Sequence, residues 1–370
     1  MKIVLFSNSS WSIYNFRGNL IKKLLKNKHQ IIILSSRDKF TDKLKKLGCK
    51  FIEIKLNNNK IYPLAEFTII LKIIYIFFKI KPDLILNFTI KPLIYGSFAA
   101  NILSIYVINM ITGLGTIFIK NNFLTKLVIK IYRVAFYNVN HVFFQNTDDQ
   151  NIFFKNKIIL KKKADLIPGS GVDLKYFKFY PLKKKQKTRF ILISRILIEK
   201  GVIEYLNAAK KIIESYDCEF ILVGSIAENN SSSISKIIID DYVKKGIIKY
   251  YGFSNNVKKY INHSDCVVLP SYREGTPRIL LEACSMGRPI ITTNVPGCKN
   301  VVINGYNGFI CSARSEISLK KSLLKFLDLN YNEKKKMSFN ARKLVEMKYD
   351  EKFVIQKYLE KIKYLNEKKN

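Results

Sequence analysis

Two carboxylates, Glu274 and Glu282, bracket a Gly275-Thr276-Pro277 turn. Pro277 suits the first turn of a helix, because its missing N–H would have no intrahelical partner there. A helix is therefore expected to begin near Thr276 or Pro277, with the amides of Gly275 to Arg278 at an end that attracts anions or hydroxyl oxygens. The apolar run Cys-Val-Val-Leu-Pro at 266–270 reads as a buried strand directly before it. Together they predict a strand–loop–helix unit with its polar groups at the carboxyl end of a strand, where open α/β sheets hold ligands. A second unit of the same kind is predicted where Ile193-Ser-Arg195 ends one strand and Glu199-Lys200-Gly201 opens the next helix. Arg195 can donate a bidentate pair to a phosphate and Lys200 a point charge; the alternative is basic loop residues facing water. Gly224, and Gly252 within Tyr251-Gly252-Phe253, are strand-end glycines that let a flat ring or ribose approach the backbone. Earlier in the chain, Gly113 and Gly115 of Thr112-Gly-Leu-Gly-Thr116 offer either an anion-binding nest or an ordinary turn.

The elements that must position these groups alternate. Short β-branched runs at 2–6, 30–34, 50–54, 83–87, 106–111 and 141–144 read as strands, and helical patterns fall at 13–26, 40–47, 65–80, 92–103 and 124–138. The second half repeats the plan, with strands at 189–194, 219–223, 247–250, 265–269 and 289–293. Its helices are expected at 202–215, 233–244, 257–262, 277–286, 316–327 and 333–348, and a last helix at 351–365. Such alternation predicts parallel sheets with right-handed crossovers. The join between residues 167 and 189 holds Pro168-Gly-Ser-Gly171, Pro181 and a lysine run, which is linker chemistry. At 370 residues the chain suits two domains, with ligand chemistry expected in a cleft between their strand ends.

Composition narrows the function classes. The six cysteines contain no Cys-x-x-Cys pair and read as reduced thiols of a cytoplasmic protein, with no metal bound. The three histidines read as structural. The opening residues read as a strand and not a signal peptide. No Gly-x-Gly-x-x-Gly follows the first strand, which disfavours a dinucleotide redox cofactor, and no full P-loop is present. The net charge of +36 has two readings, a Lys-rich coding bias and attraction to an anionic surface. No motif supports nucleic acid as the partner. No apolar stretch reaches the length of a membrane span. Residues 67–78 and 123–137, which mix Ile, Leu, Phe and Tyr with sparse Lys, suit either a bilayer interface or packing on a sheet.

The ordered set Arg195, Lys200-Gly201, Gly224, Tyr251-Gly252-Phe253, Asp265, Leu269-Pro-Ser-Tyr-Arg-Glu-Gly275 and Glu282-Ala283 resembles family 4 of the nucleotide-sugar glycosyltransferases. Glu274 and Glu282 match that family's Glu-x7-Glu spacing, and Gly171-Val-Asp173 with Phe177 looks like its interdomain segment. Ser12-Ile-Tyr-Asn-Phe-Arg17 and Gly113-Leu-Gly115 are similar to the subset that extends polyprenyl-diphosphate-linked glycans. The resemblance covers essentially the whole chain. It implies an α/β fold of two facing Rossmann-like domains (the B-type glycosyltransferase fold), at 1–170 and 188–348, with residues 349–370 crossing back to the first.

It also implies a retaining transfer of a hexose or N-acetylhexosamine, with N-acetylgalactosamine favoured, from a UDP-sugar to a polyprenyl-diphosphate-linked saccharide, with no cofactor and no required metal. Arg195 and Lys200 would hold the diphosphate and stabilise the charge on the departing UDP. Glu282 would accept from the ribose hydroxyls, and Tyr251, Gly252, Phe253 and Gly224 would line the nucleoside pocket. Glu274, with the backbone of Gly275, Thr276, Pro277 and Arg278, would position the donor sugar. Gly113 and Gly115 would approach donor or acceptor phosphates, and Arg17 would bind the acceptor diphosphate. The implied location is the cytoplasmic side of an anionic inner membrane, bound peripherally. The chain departs from the family pattern at Ser7-Asn-Ser-Ser10, where many members carry glycines. It also lacks a first-domain His beside the sugar, Asn87 and Thr112 standing at plausible places. The competing readings are a soluble transferase, a sugar-nucleotide epimerase, which would want a paired acid and base, and a non-catalytic binding protein of the same fold, which would not need the intact charged set.

Overall fold

The structure, a computed structural model, describes residues 1–56, 63–115, 118, 123–226 and 230–368. It separates into two compact units, Met1–Ser170 with the chain from Lys352 onward, and Gly171–Glu351. The first unit contains β1 (Lys2–Ser9), α1 (Ser10–Lys26), β2 (Gln30–Ser36), α2 (Thr41–Lys46), β3 (Lys50–Glu53), α3 (Pro63–Ile80) and β4 (Leu84–Phe88). It continues through α4 (Ile90–Ile102), β5 (Tyr106–Ile111), α5 (Phe123–Ala135), β6 (His141–Phe144), α6 (Thr147–Lys155) and β7 (Ala164–Leu166). The second contains β8 (Thr188–Ile193), α7 (Val202–Ile213), β9 (Cys218–Val223), α8 (Lys236–Lys244), β10 (Lys249–Tyr250), α9 (Val257–His263) and β11 (Cys266–Leu269). There follow α10 (Arg278–Ser285), β12 (Ile290–Thr293), β13 (Gly308–Cys311), α11 (Glu316–Asp328), α12 (Tyr331–Lys348) and the terminal α13 (Glu351–Glu367).

All strand pairs among the described residues are parallel. The first sheet has the order β3-β2-β1-β4-β5-β6-β7 and the second β10-β9-β8-β11-β12-β13. Both orders reverse direction once, between β1 and β4 and between β8 and β11, so each unit has a topological switch point from which the following helices go to opposite faces of the sheet. The central strands are buried on both faces, which is why they read as unbroken apolar runs; β4, β6, β11 and β12 are buried at every position.

Each sheet is covered twice. In the first unit α3, α4, α5 and α6 share one core with the strands, around Phe77, Leu93 and Tyr132. Helices α1, α2 and α13 share the other, around Leu24, Leu44 and Tyr358. In the second, α7, α8 and α11 cover one face and α9, α10 and α12 the other.

Three elements went unforeseen in the sequence, each for a physical reason. The α6 helix is polar, buries only Asp149 and Phe153, and owes its start to Asn146 accepting from the Asp149 amide at 2.8 Å. The β7 strand has three residues on a sheet edge and little burial. The β13 strand opens with Gly308, which looks like turn chemistry. Its lack of a side chain is instead what lets it pair, since a Cβ there would stand 1.8 Å from the Ile290 carbonyl oxygen.

Candidate active site

The loops after β8 and β11, on the two sides of the second switch point, are tied together by backbone and side chain. The Tyr272 amide donates to the Glu199 carbonyl at 2.9 Å. Lys200, ending a short 3-10 turn, donates its Nζ to Glu274 Oε1 at 2.5 Å, and Ser271 Oγ donates to the same oxygen at 2.8 Å. Both partners of the ion pair are largely shielded, with side-chain exposures of 18% and 15%. An ammonium has three donors, so Lys200 can hold this carboxylate and still face a phosphate oxygen. Two glycines make the close approach of these loops possible. Gly201, at φ +72, has the Pro270 carbonyl oxygen where a Cβ would lie, at 2.1 Å. Gly297, at φ +81, stands equally close, 2.1 Å, to the Gly275 carbonyl oxygen behind the Glu274 loop. Sequence reading missed Gly297; the turn Pro296-Gly297 after a strand was the available signal.

Helix α10 begins at Arg278 and not at Thr276 or Pro277. Pro277 is the N-cap, with ψ 111°, and its carbonyl accepts from the Leu280 amide at 3.1 Å. The extended ψ keeps the proline outside the helix while its fixed φ still aims the chain into it. One turn in, Arg278 Nε donates to Glu282 Oε1 at 3.1 Å, an i,i+4 pair legible in the sequence but not singled out there. Glu282 is buried, and burial pushes its carboxyl pKa up against the opposing pull of Arg278.

Arg195 is exposed and has no salt-bridge partner among the described residues. Gly224 follows β9 at φ +154, with its amide donating to the Gly252 carbonyl at 2.7 Å; a Cβ there would meet the Ser194 carbonyl oxygen at 1.6 Å. Tyr251 and Phe253 are half exposed, at 50% and 53%, on either side of Gly252. The structure thus gathers Arg195, Lys200, Glu274 to Arg278 and Glu282 around one switch point, with Gly224 and Tyr251 to Phe253 at the neighbouring strand ends. The Tyr272 hydroxyl donates to Glu204 Oε1 on α7 at 2.6 Å and its ring lies under the Arg314 guanidinium, 4.9 Å away. Neither contact was anticipated.

The first-unit candidates sit differently. Arg17 is buried on α1, with its guanidinium 4.6 Å from the Phe88 ring, Nη1 donating to the Phe16 carbonyl at 3.0 Å and Nη2 to Met110 Sδ. Gly113, at φ +122, and Gly115, at φ +67, follow β5. Thr116, the last member of the expected nest, lies outside the described residues. Asn87 is buried, donating Nδ2 to Asn109 Oδ1 at 2.9 Å.

All six cysteines are free and buried, and burial pushes Cys298, the one whose pKa Glu274 also raises, up to about 12. Burial, with Lys361 adding to it, pushes His141 down to about 4, so it is neutral near pH 7. Among the described residues no group of three or more His, Cys, Asp or Glu is placed to hold a metal ion.

Residues 175–344 match the model of glycosyl transferases group 1, and residues 2–146 match the glycosyl transferase 4-like model. The chain belongs to this glycosyltransferase family. It is 28% identical, over 97% of each chain, to N,N'-diacetylbacillosaminyl-diphospho-undecaprenol alpha-1,3-N-acetylgalactosaminyltransferase of Campylobacter jejuni subsp. jejuni serotype O:2. It is 29% identical, over 50% of each chain, to UDP-Gal:alpha-D-GlcNAc-diphosphoundecaprenol alpha-1,3-galactosyltransferase of Escherichia coli. Among solved structures, HepE of Anabaena in complex with UDP-glucose aligns with a TM-score of 0.78 at 18% identity, covering 98% of this chain and 100% of that one. WaaG, a glycosyltransferase involved in lipopolysaccharide biosynthesis, aligns with a TM-score of 0.70 at 14% identity over 96% and 98%. The family's two-domain α/β fold, with Rossmann-like units, is therefore the fold of this glycosyltransferase.

Proposed function

We propose that this glycosyltransferase moves a hexose or N-acetylhexosamine, N-acetylgalactosamine above others, from a UDP-sugar to a polyprenyl-diphosphate-linked saccharide. The reading is of a retaining transfer in surface-glycan or glycoprotein-glycan assembly, made without a required metal. The observation that carries it is the Lys200–Glu274 contact at the second switch point, which sets a cation for a diphosphate beside a carboxylate for a sugar. The names of the Campylobacter and Escherichia relatives support the lipid-linked acceptor and the alpha-1,3 transfer of a galactose-type sugar.

In this reading the donor's diphosphate lies between Arg195 and Lys200. As the bond from the anomeric carbon to the phosphate oxygen breaks, negative charge grows on UDP, and these two preorganised cations stabilise it. The carboxylate of Glu274 faces the positive charge developing at the anomeric carbon and, with the Gly275 to Arg278 backbone, orients the sugar. Glu282 accepts from the ribose hydroxyls, Gly224 and Gly252 admit the nucleoside, and Tyr251 and Phe253 flank the uracil. Arg17, Gly113 and Gly115 serve the phosphates of the acceptor, Arg17 through its positive charge beneath the loop surface.

The test is UDP release by the purified protein across a panel of UDP-sugars, with an undecaprenyl-diphosphate-linked acceptor and with or without EDTA. The expected result is acceptor-dependent release from one donor that survives EDTA. Release abolished by EDTA overturns the metal-free reading, and no release from any donor overturns the assignment of donor and acceptor.

A further inference from the structure

Helices α3, α4 and α5 lie side by side on one face of the first sheet, α4 touching both neighbours. Their inward residues fill the core, yet their outward residues are apolar as well. Along α3, Phe67, Leu71, Tyr75 and Phe78 follow helical spacing, and three of them are more than half exposed, at 59%, 62% and 64% for Phe67, Tyr75 and Phe78. On α5, Leu127, Ile131 and Val134 make a second exposed stripe, and Tyr137 just beyond the helix is 80% exposed. Exposed apolar stripes of this kind on neighbouring helices mark an interaction surface.

Charge selects the use. Over Pro63–Ile80, Ile90–Ile102 and Phe123–Ala135 the only acidic residue is Glu66. It is buried, ion-paired with Lys91 and accepting from the Tyr95 hydroxyl at 2.6 Å, so it adds no negative charge outside. What remains exposed is cationic: Lys72, Lys79, Lys126, Lys130 and Arg133. Such side chains lay their stems on an apolar surface and reach their charges up to headgroups, while Phe and Tyr enter the acyl boundary. A second copy of the same face would instead set these cations against one another. Among the described residues no helix is long and apolar enough to cross a membrane, so the fitting mode is lying on it.

We propose that the outward surface of the α3–α4–α5 layer docks this enzyme on an anionic bilayer, Phe67, Tyr75 and Phe78 entering the interface and Lys72, Lys126 and Lys130 meeting the headgroups. This rests on the lipid-linked acceptor of the proposed function, and gives that acceptor's membrane a defined place on the protein.

The test is co-sedimentation of the full chain with vesicles of phosphatidylcholine alone and of phosphatidylcholine with phosphatidylglycerol. Adding the anionic lipid should raise partitioning about tenfold or more, and salt should reverse it. A Phe67→Ser/Phe78→Ser double variant and a Lys126→Gln/Lys130→Gln double variant should each lose about tenfold, with unchanged circular dichroism melts because all four side chains are exposed. Equal binding to both vesicle types, absence of binding, or full binding by both variants overturns the proposal. So does a dimer of the native chain that the apolar variant converts to monomer while vesicle binding stays intact, since the face would then belong to a second copy. Turnover separates this from the parent reading. Both variants should keep native rates on a water-soluble short-chain acceptor and lose them on a vesicle-embedded one. A native protein inactive on both acceptors defeats the proposed function while vesicle binding still decides the docking face.

Discussion

The two switch points share a strand order and differ in chemistry. In the second unit, Lys200 and Glu274 meet across the strand ends and Arg278 and Glu282 pair on the following helix, so the site is built from shielded charge. In the first unit, the same topological position holds hydroxyls and amides. Ser7 Oγ is 2.7 Å from Ser12 Oγ, and the Asn8 amide donates to Thr89 Oγ1 at 3.3 Å. Thr89 takes φ +69°, a conformation a β-branched residue adopts only when its surroundings impose it. Topology thus supplies two equivalent positions, and side-chain charge is what distinguishes the one proposed for the nucleoside diphosphate. Arg17, a cation of the first unit, is buried beside Phe88.

The comparison breaks hardest at Glu274. A Glu274→Ala variant should lower kcat about a thousandfold with UDP affinity nearly kept, measured by UDP release and by titration with UDP. Retained turnover would remove Glu274 from the mechanism. Next, Lys200→Ala should lower kcat about a hundredfold and also weaken UDP binding, and its melt should fall because Glu274 is left shielded without its cation. If only the melt changes, the ion pair is structural.

Glu282 sharpens the contrast through pH. Burial holds its carboxyl above the ordinary range, so it protonates at a higher pH than a solvated Glu and ceases to be a pure acceptor. Donor KM should therefore rise on acidification before the fold is lost. The sign for stability runs the other way: a carboxyl raised on folding contributes stability below its unfolded pKa and loses that contribution as pH rises through the folded one. Glu282→Gln should raise donor KM about tenfold near neutrality and abolish this acidic limb, read from donor KM against pH. A limb that persists in the variant assigns it to another group. The smallest effect is expected in the first unit, where Arg17→Met should raise acceptor KM several-fold, within about tenfold, and leave UDP affinity unchanged. A change in UDP affinity would show that the two switch points do not divide the substrates as proposed.

Much of this division was legible before any coordinates. The alternation of apolar runs and helical patterns determined two parallel α/β units, because buried parallel strands need unbroken apolar sequence. The order of Arg195, Lys200, Gly224, Glu274 and Glu282 determined the family. What the chain alone left open was polar or short. The α6 helix has too little apolar surface to show a period, and β7 and β13 are edge strands whose pairing depends on neighbours far away in sequence. Pairings across the fold were equally out of reach. Lys200 and Glu274 lie 74 positions apart and Tyr272 and Glu204 68, distances only the β8–β11 neighbour relation closes. Residue type fixed what each group can do, a cation for phosphate or a carboxylate for hydroxyls. Tertiary structure alone decided which group stands exposed, like Arg195, and which is shielded and shifted, like Glu282, because burial is a property of everything packed around a side chain and not of its own stretch of sequence.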